Sequence, residues 1–267
     1  MTSLFANKAK TARRVVEVLE FFDEQNRHVT VMDIVRRYNR PQSSTSELLA
    51  SLVDLGLLYK DPSSRSYTLT PRAAILGSMS QPSLVRDGSL SMLIDRLEAQ
   101  TSLSTVLLGM VRVNAQVFRW STGAKHAPDD RGLLGGGAQE RLSESAAGWL
   151  LLSTVAPNYC ERIVRRLNAE APADRKFNAA ALTQRIQECG RQGFTVGQAG
   201  FGCSGEMVTV LLPAQPGESP MVLGFVYQPN EAIKPAKLVE LLQSSVQRCL
   251  RPTREEYSIP SFVSNAA

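Results

Sequence analysis

The chain has 267 residues, a formal net charge of +5, 43% hydrophobic and 21% charged residues, which is enough apolar material for two ordinary domains with cores of their own. No apolar run approaches the roughly 20 residues that cross a bilayer, and Met1–Lys10 has no signal-peptide core, so a cytoplasmic protein without membrane contact is expected. The four cysteines, Cys160, Cys189, Cys203 and Cys249, form no CxxC pair, which excludes the usual zinc ribbons and disulfide-dense secreted folds and implies reduced thiols.

Residues 11–25 read as a helix. Val15, Val18, Leu19 and Phe22 make its apolar stripe, and Arg13, Glu17, Glu20 and Glu24 its polar face. Thr30 and Asp33 have the spacing of a capping box for a second helix running through Asn39, with Ile34, Val35 and Tyr38 inward. Pro41 suits the first position of a third helix that stops at Gly56. Residues 57–60 and 66–70 read as a hairpin around the turn Asp61-Pro62-Ser63-Ser64-Arg65. Residues 77–90 read as a linker after a first domain of residues 1–76.

A second domain, residues 91–250, follows. Leu90, Leu93, Ile94 and Leu97 mark a helix over 89–100, and strands are expected at 104–111 and 115–121. A polar, glycine-rich loop covers 122–141. Helices are expected at 145–155, 159–169, 179–192 and 235–249, and strands at 194–198, 207–213 and 221–227. Residues 251–267 read as a tail without periodicity. The class is α+β, with a winged helix-turn-helix joined by a linker to an α/β domain.

Motifs for catalysis fail. Residues 200–205 fit G-x-G-x-x-G, but the run after them, Met207–Leu212, reads as a strand, whereas a dinucleotide site needs a helix there. Gly135-Gly136-Gly137 leads into no G-K-[ST]. His28 lies in a turn, and His126 lies in the long loop beside Asp129 and Asp130 with no nucleophile elbow. Two isolated histidines make no metal site, so no enzyme, metal or cofactor is expected.

The third helix carries the functional reading. At 100° per residue, Leu48, Leu52 and Leu55 share one side with Pro41 and Thr45, while Ser43, Ser46, Ala50 and Asp54 face outward with Glu47 flanking. A small, uncharged outer face admits close approach to a major groove. Gln42 pairs well with adenine, Ser43, Ser44 and Ser46 suit bases or phosphates, and Glu47 can accept from cytosine. Arg36 and Arg40 precede the helix, Lys60 and Arg65 lie on the wing, and all four are placed for phosphates. Residues 1–78 hold 11 Lys/Arg against 8 Asp/Glu, so basic charge is denser here than behind it.

These segments together resemble the N-terminal domain of IclR-type transcriptional regulators. The likeness rests on Thr11–Leu19, Asp33–Arg37, Pro41–Leu49, Leu55–Pro62 and Tyr67–Arg72, and more weakly on Ser143–Gly148 and Gly190–Phe194. The resemblance implies a GAF-like effector domain, homodimers or dimers of dimers, a double-stranded DNA operator and a small organic effector. In relatives that sense keto acids, backbone N–H groups hold the carboxylate where this chain has Ala146 and Ala147. Aligned without gaps, the polar wall of that pocket falls on Gly197, Met207, Phe225 and Tyr227, which implies an aromatic or branched acid instead. The competing readings are a winged helix for RNA or protein contact without an effector, and an enzyme with an incidental winged helix.

Overall fold

The computed structural model describes residues 2–22, 26–78, 83–86, 88–121, 136–214 and 218–250. Of the sequence expectations, Glu24, His126, Asp129, Asp130, Gly135, most of the 122–141 loop, part of the linker and the tail lie outside them. The chain divides into two compact units, Met1–Gln81 and Pro82–Ala267.

The first unit holds α1 (Thr2–Phe21), α2 (Val31–Tyr38), α3 (Gln42–Asp54), a hairpin of β1 (Leu58–Lys60) and β2 (Tyr67–Leu69), and α4 (Pro71–Ser78). The α1 helix begins well before residue 11. The capping box forms as expected: the Asp33 N–H donates to the Thr30 hydroxyl, and the Thr30 N–H donates to the Asp33 carboxylate at 2.8 Å. That bond holds the Asp33 carboxyl below its ordinary value. Asn39, left-handed at φ 48°, ends α2 and turns the chain into α3. Val18, Val29, Ile34, Leu49, Leu52, Leu58 and Tyr67 form the core.

Two expectations for α3 are corrected. Pro41 is the N-cap, with Gln42 as the first helical residue. The inward stripe is Thr45, Leu49 and Leu52, whereas Leu48 is half-buried and Leu55 is 59% exposed. The stripe follows i, i+4, i+7 from Thr45, whose hydroxyl donates to the Pro41 carbonyl. Leu55 lies beyond the last helical residue and is released from that face.

The second unit is built on an antiparallel sheet of order β5-β4-β3-β8-β7-β6. Its strands are β3 (Ser104–Val111), β4 (Asn114–Ser121), β5 (Gln139–Arg141), β6 (Phe194–Gly200), β7 (Cys203–Leu211) and β8 (Met221–Tyr227). β5 was not anticipated inside the long loop, and β7 starts four residues earlier than expected. On one face lie α7 (Ala146–Leu152), α8 (Pro157–Glu170) and α9 (Ala179–Gln192), packed on Val106, Leu108, Met207, Val222 and Val226. On the other lie α5 (Ser83–Arg86), α6 (Ser89–Thr101) and α10 (Pro235–Cys249), packed on Leu107, Val208, Val210, Leu223, Phe225 and Tyr227. Successive strand residues point to opposite faces, so β3, β7 and β8, at the centre of the sheet, feed both cores. Every residue of β8 is buried for that reason.

Candidate functional site

The α3 helix presents Gln42, Ser43 and Glu47 to solvent, with Ser44 and Ser46 half-buried beside them. Its first turn is fastened to α1. The Arg14 guanidinium donates to the Ser44 carbonyl at 3.0 Å and to its hydroxyl at 3.2 Å. One turn further along α1, Glu17 accepts from Arg40 and from Arg13, while its backbone carbonyl accepts from the Tyr38 hydroxyl at 2.7 Å. The Arg40 guanidinium also lies 5.6 Å from the centre of the Tyr38 ring. Arg14 and Glu17, three residues apart on one side of α1, therefore hold both ends of the α2–α3 turn.

This arrangement divides the expected DNA contacts. Gln42, Ser43, Glu47 and Arg36 are free to meet a ligand. Ser44 is engaged by Arg14, and Arg40 is half-buried in its pair with Glu17 rather than extended toward a phosphate. Glu17, expected on the solvent face, instead faces the α2–α3 turn. Arg14 was missed because its partner is 30 residues away, and only its place three residues before Glu17 hints at the shared role.

The wing is a compact turn. Asp61 accepts from the Ser63 N–H at 2.9 Å, the Ser63 hydroxyl at 2.8 Å and the Ser64 hydroxyl at 2.7 Å. These bonds to its charged form lower its pKa to about 2. Arg65 takes a left-handed φ of 56° and is exposed; Lys60 is exposed with its ammonium 5.6 Å from the Tyr67 ring centre.

In the second unit the expected effector residues separate. Ala146 and Ala147 open α7 after the Ser145 cap, whose hydroxyl accepts from the Gly148 N–H at 3.1 Å. Gly197 pairs with Met207, and both face α7. Phe225 and Tyr227 do not join them, because they lie in the core against α6 and α10. The register explains this: Met207 pairs with Val226, and Thr209 with Gly224. Residues paired across strands share a face, so Phe225 and Tyr227 point away from Ala146 and Ala147, and the α7 face of β8 carries Gly224 and Val226. On the α7 side, Gly197, Met207, Gly224 and Val226 form an apolar surface.

The α7 side of the sheet is filled by Trp149. A side-chain carbon placed on Gly197 would come within 3.2 Å of the indole. The indole N–H donates to the Ser143 carbonyl at 2.9 Å, and the Arg185 guanidinium lies 4.5 Å from the ring centre. A cavity of 430 Å³ opens nearby, lined by Glu140, Ser143, Glu144, Arg175, Phe177 and Gln198, among others. Gly200, Phe201 and Gly202, all with positive φ, close the β6–β7 hairpin on its rim, and no helix follows them. The Phe201 N–H donates to Glu140. Burial and the neighbouring Glu144 nonetheless push the Glu140 carboxyl up to about 7, while Glu144 pairs with Arg175 at 3.2 Å.

A winged helix-turn-helix whose third helix is exposed and fastened to α1, followed by a two-faced antiparallel α+β unit, defines the class: a helix-turn-helix protein with a second, α+β domain. Residues 11–62 match the IclR helix-turn-helix domain. Among solved structures, the chain is similar to an IclR homologue from Microbacterium hydrocarbonoxydans complexed with 4-hydroxybenzoate, at 19% identity and a TM-score of 0.52, covering 88% of this chain and 95% of that one. It is similar to an IclR transcriptional regulator from Alicyclobacillus acidocaldarius at 20% identity and a TM-score of 0.53, covering 90% and 94%. The effector domain of an IclR regulator from Acinetobacter sp. ADP1 aligns at 20% identity and a TM-score of 0.55, covering 62% of this chain and 95% of that one. No curated protein matches the chain. The chain thus carries the IclR-type helix-turn-helix domain and has the fold of IclR-family regulators. No helix among the described residues is long and apolar enough to cross a membrane, and among them no cluster of three His, Cys, Asp or Glu could hold a metal ion.

Proposed function

We propose that this chain is an effector-responsive transcriptional regulator that acts in the cytoplasm as a dimer or dimer of dimers on a near-palindromic operator. The observation that carries this reading is the first turn of α3. Gln42 and Ser43 are exposed there, with Glu47 exposed one turn further on, and that first turn is held to α1 through Arg14 and Ser44. A helix that reads bases must enter the groove in one fixed orientation, and this attachment supplies it. Ser46 adds a hydroxyl on the same face. Arg36, Lys60 and Arg65 supply backbone contacts, and a second copy places the other α3 about 34–36 Å away, one turn of DNA, or a multiple of that.

The proposed effector is a small organic acid with an aromatic or branched body, sensed near Ala146, Ala147, Gly197 and Met207, and the regulated genes are catabolic. The apolar character of that wall favours such a ligand over a compact keto acid, and the 4-hydroxybenzoate in the Microbacterium neighbour is of this kind. The test is to select bound duplexes from random DNA and to measure affinity against salt. A palindromic consensus with a steep salt dependence is expected, along with a change in affinity on adding benzoate-type acids. A failure to enrich any duplex sequence, together with binding to single-stranded RNA or to protein, would transfer the function to the competing winged-helix reading.

A further inference from the structure

The proposed effector wall is closed by the chain itself. Ala146, Ala147 and Met207 have no exposed surface, and Trp149 is 6% exposed. The indole rests on the bare backbone of Gly197, the position in β6 where an added side chain would meet it. Over the ring stands Arg185, from α9, which is itself exposed and has no ion-pair partner among the described residues. A strand glycine against the Cζ3 edge of the ring, Met207 and Val226 in register with it on the same sheet face, and a guanidinium over the ring make a slot for a flat ring with an anionic group at its rim. The indole satisfies the flat part of that description, and only a π face meets the cation.

The indole also has somewhere to go. Its N–H bond ends on Ser143, which lines the adjoining 430 Å³ cavity. That cavity is a poor anion site in its own right, because Glu140 and Glu144 oppose its single arginine, Arg175. An acid that reaches this region therefore finds its complementary charge at Arg185, above the indole.

We propose that Trp149 is the built-in occupant of the effector slot, that an aromatic carboxylate displaces its ring toward the Ser143 cavity, and that Arg185 is the residue that selects the carboxylate. This rests on the effector reading above and adds to it the residue that gates the slot and the charge that defines the ligand. The exchange is close to balanced. One ring replaces another on Gly197, and the cation–π contact of Arg185 gives way to a charge-assisted bond with a carboxylate, while the Trp149 N–H bond is lost. A slot filled in this way imposes a displacement step on any ligand, and removing the occupant removes that step.

The chain has two tryptophans, so Trp120→Phe leaves Trp149 as the sole indole reporter. In that background, benzoate is expected to red-shift the emission as the indole leaves its dry site. Trp149→Ala is expected to bind benzoate at least tenfold more tightly. Arg185→Ala is expected to lose the preference for benzoate over neutral benzamide while keeping affinity for the ring. Benzoate binding with unchanged emission, no gain in Trp149→Ala and full selectivity in Arg185→Ala would overturn the gate but leave the effector reading in place. No binding to either wild type or Trp149→Ala would overturn both. Should Trp149→Ala fail to fold, the emission shift and the Arg185→Ala selectivity decide between the same outcomes.

Discussion

Gly148 offers a sharp test of how the second unit is built. It sits in the first turn of α7, and a methyl group there would stand 2.3 Å from the Leu142 carbonyl oxygen and 2.8 Å from the Leu142 carbonyl carbon and Cα. The obstacle is backbone, held in place by the Leu142 N–H bond to the Val113 carbonyl at 3.1 Å, and Leu142 is wholly buried. Relieving the overlap moves that backbone by about 1 Å, and because the obstacle is backbone the overpacking strain falls in the upper part of the usual range, about 2–3 kcal/mol. Alanine in a helix recovers about 1 kcal/mol over glycine, so Gly148→Ala is expected to destabilise the unit by about 1–2 kcal/mol net. For a unit of this size that lowers the melting temperature by about 2–8 °C. Differential scanning calorimetry resolves it, with Gly190→Ala as the control. There the new methyl meets the Ser153 side chain, 3.1 Å from its Cβ, and touches backbone only at an ordinary 3.8 Å, so a smaller change is expected. If Gly148→Ala melts at or above wild type while Gly190→Ala does not, the packing of α7 on the 142–145 loop is not as argued.

Further expectations concern DNA and protons. Gln42→Ala and Ser43→Ala should change base preference by about 1–3 kcal/mol where a bidentate contact is lost, measured by competition between single-base operator variants. Arg36→Ala should remove one phosphate contact, which between 50 and 200 mM salt narrows the loss of affinity about 3.5-fold. Arg40→Ala, already neutralised by Glu17, should leave that slope unchanged, and equal slopes changes in both variants would show that the Arg40–Glu17 pair opens on DNA. Glu140 has a folded pKa raised to about 7 from an unfolded value near 4.5, so the folded state holds its proton longer. Its contribution to stability is therefore complete below about pH 4.5 and is lost as pH rises through about 7. Glu140→Gln keeps an acceptor for the Phe201 N–H, and its melting temperature relative to wild type should rise across that window; a constant difference would place the carboxyl in an ordinary environment.

Local signals made much of the fold legible from the chain alone. The Thr30–Asp33 capping box, the helices at 179–192 and 235–249 and the strand at 221–227 all depend on residues within a few positions of each other, and the structure has them where the pattern put them. The outward face of α3 was legible for the same reason, since Ser43 and Glu47 are set by helical spacing and remain exposed. Its buried stripe was shifted because apolar leucines at 48, 49, 52 and 55 fit two helical rows equally well, and only the core of Val18, Ile34 and Tyr67 chose between them.

The residues expected to line an effector site mark where sequence reasoning stopped. On β8, Val222, Gly224 and Val226 alternate with Leu223, Phe225 and Tyr227, and both sets are buried. With no polar face to break the tie, the sequence determined that this is a strand but not which row faces α7. The pairing of Met207 with Val226 decided that, since a one-residue change of register exchanges the two faces of a strand. Likewise the chain specified a tryptophan at 149 and a glycine at 197, while only folding laid the one on the other beneath Arg185. Helix caps and periods are local and can be read along the chain. Contacts between residues dozens of positions apart, such as Arg14 with Ser44 or Glu140 with Phe201, exist only once the packing of the elements has brought them together.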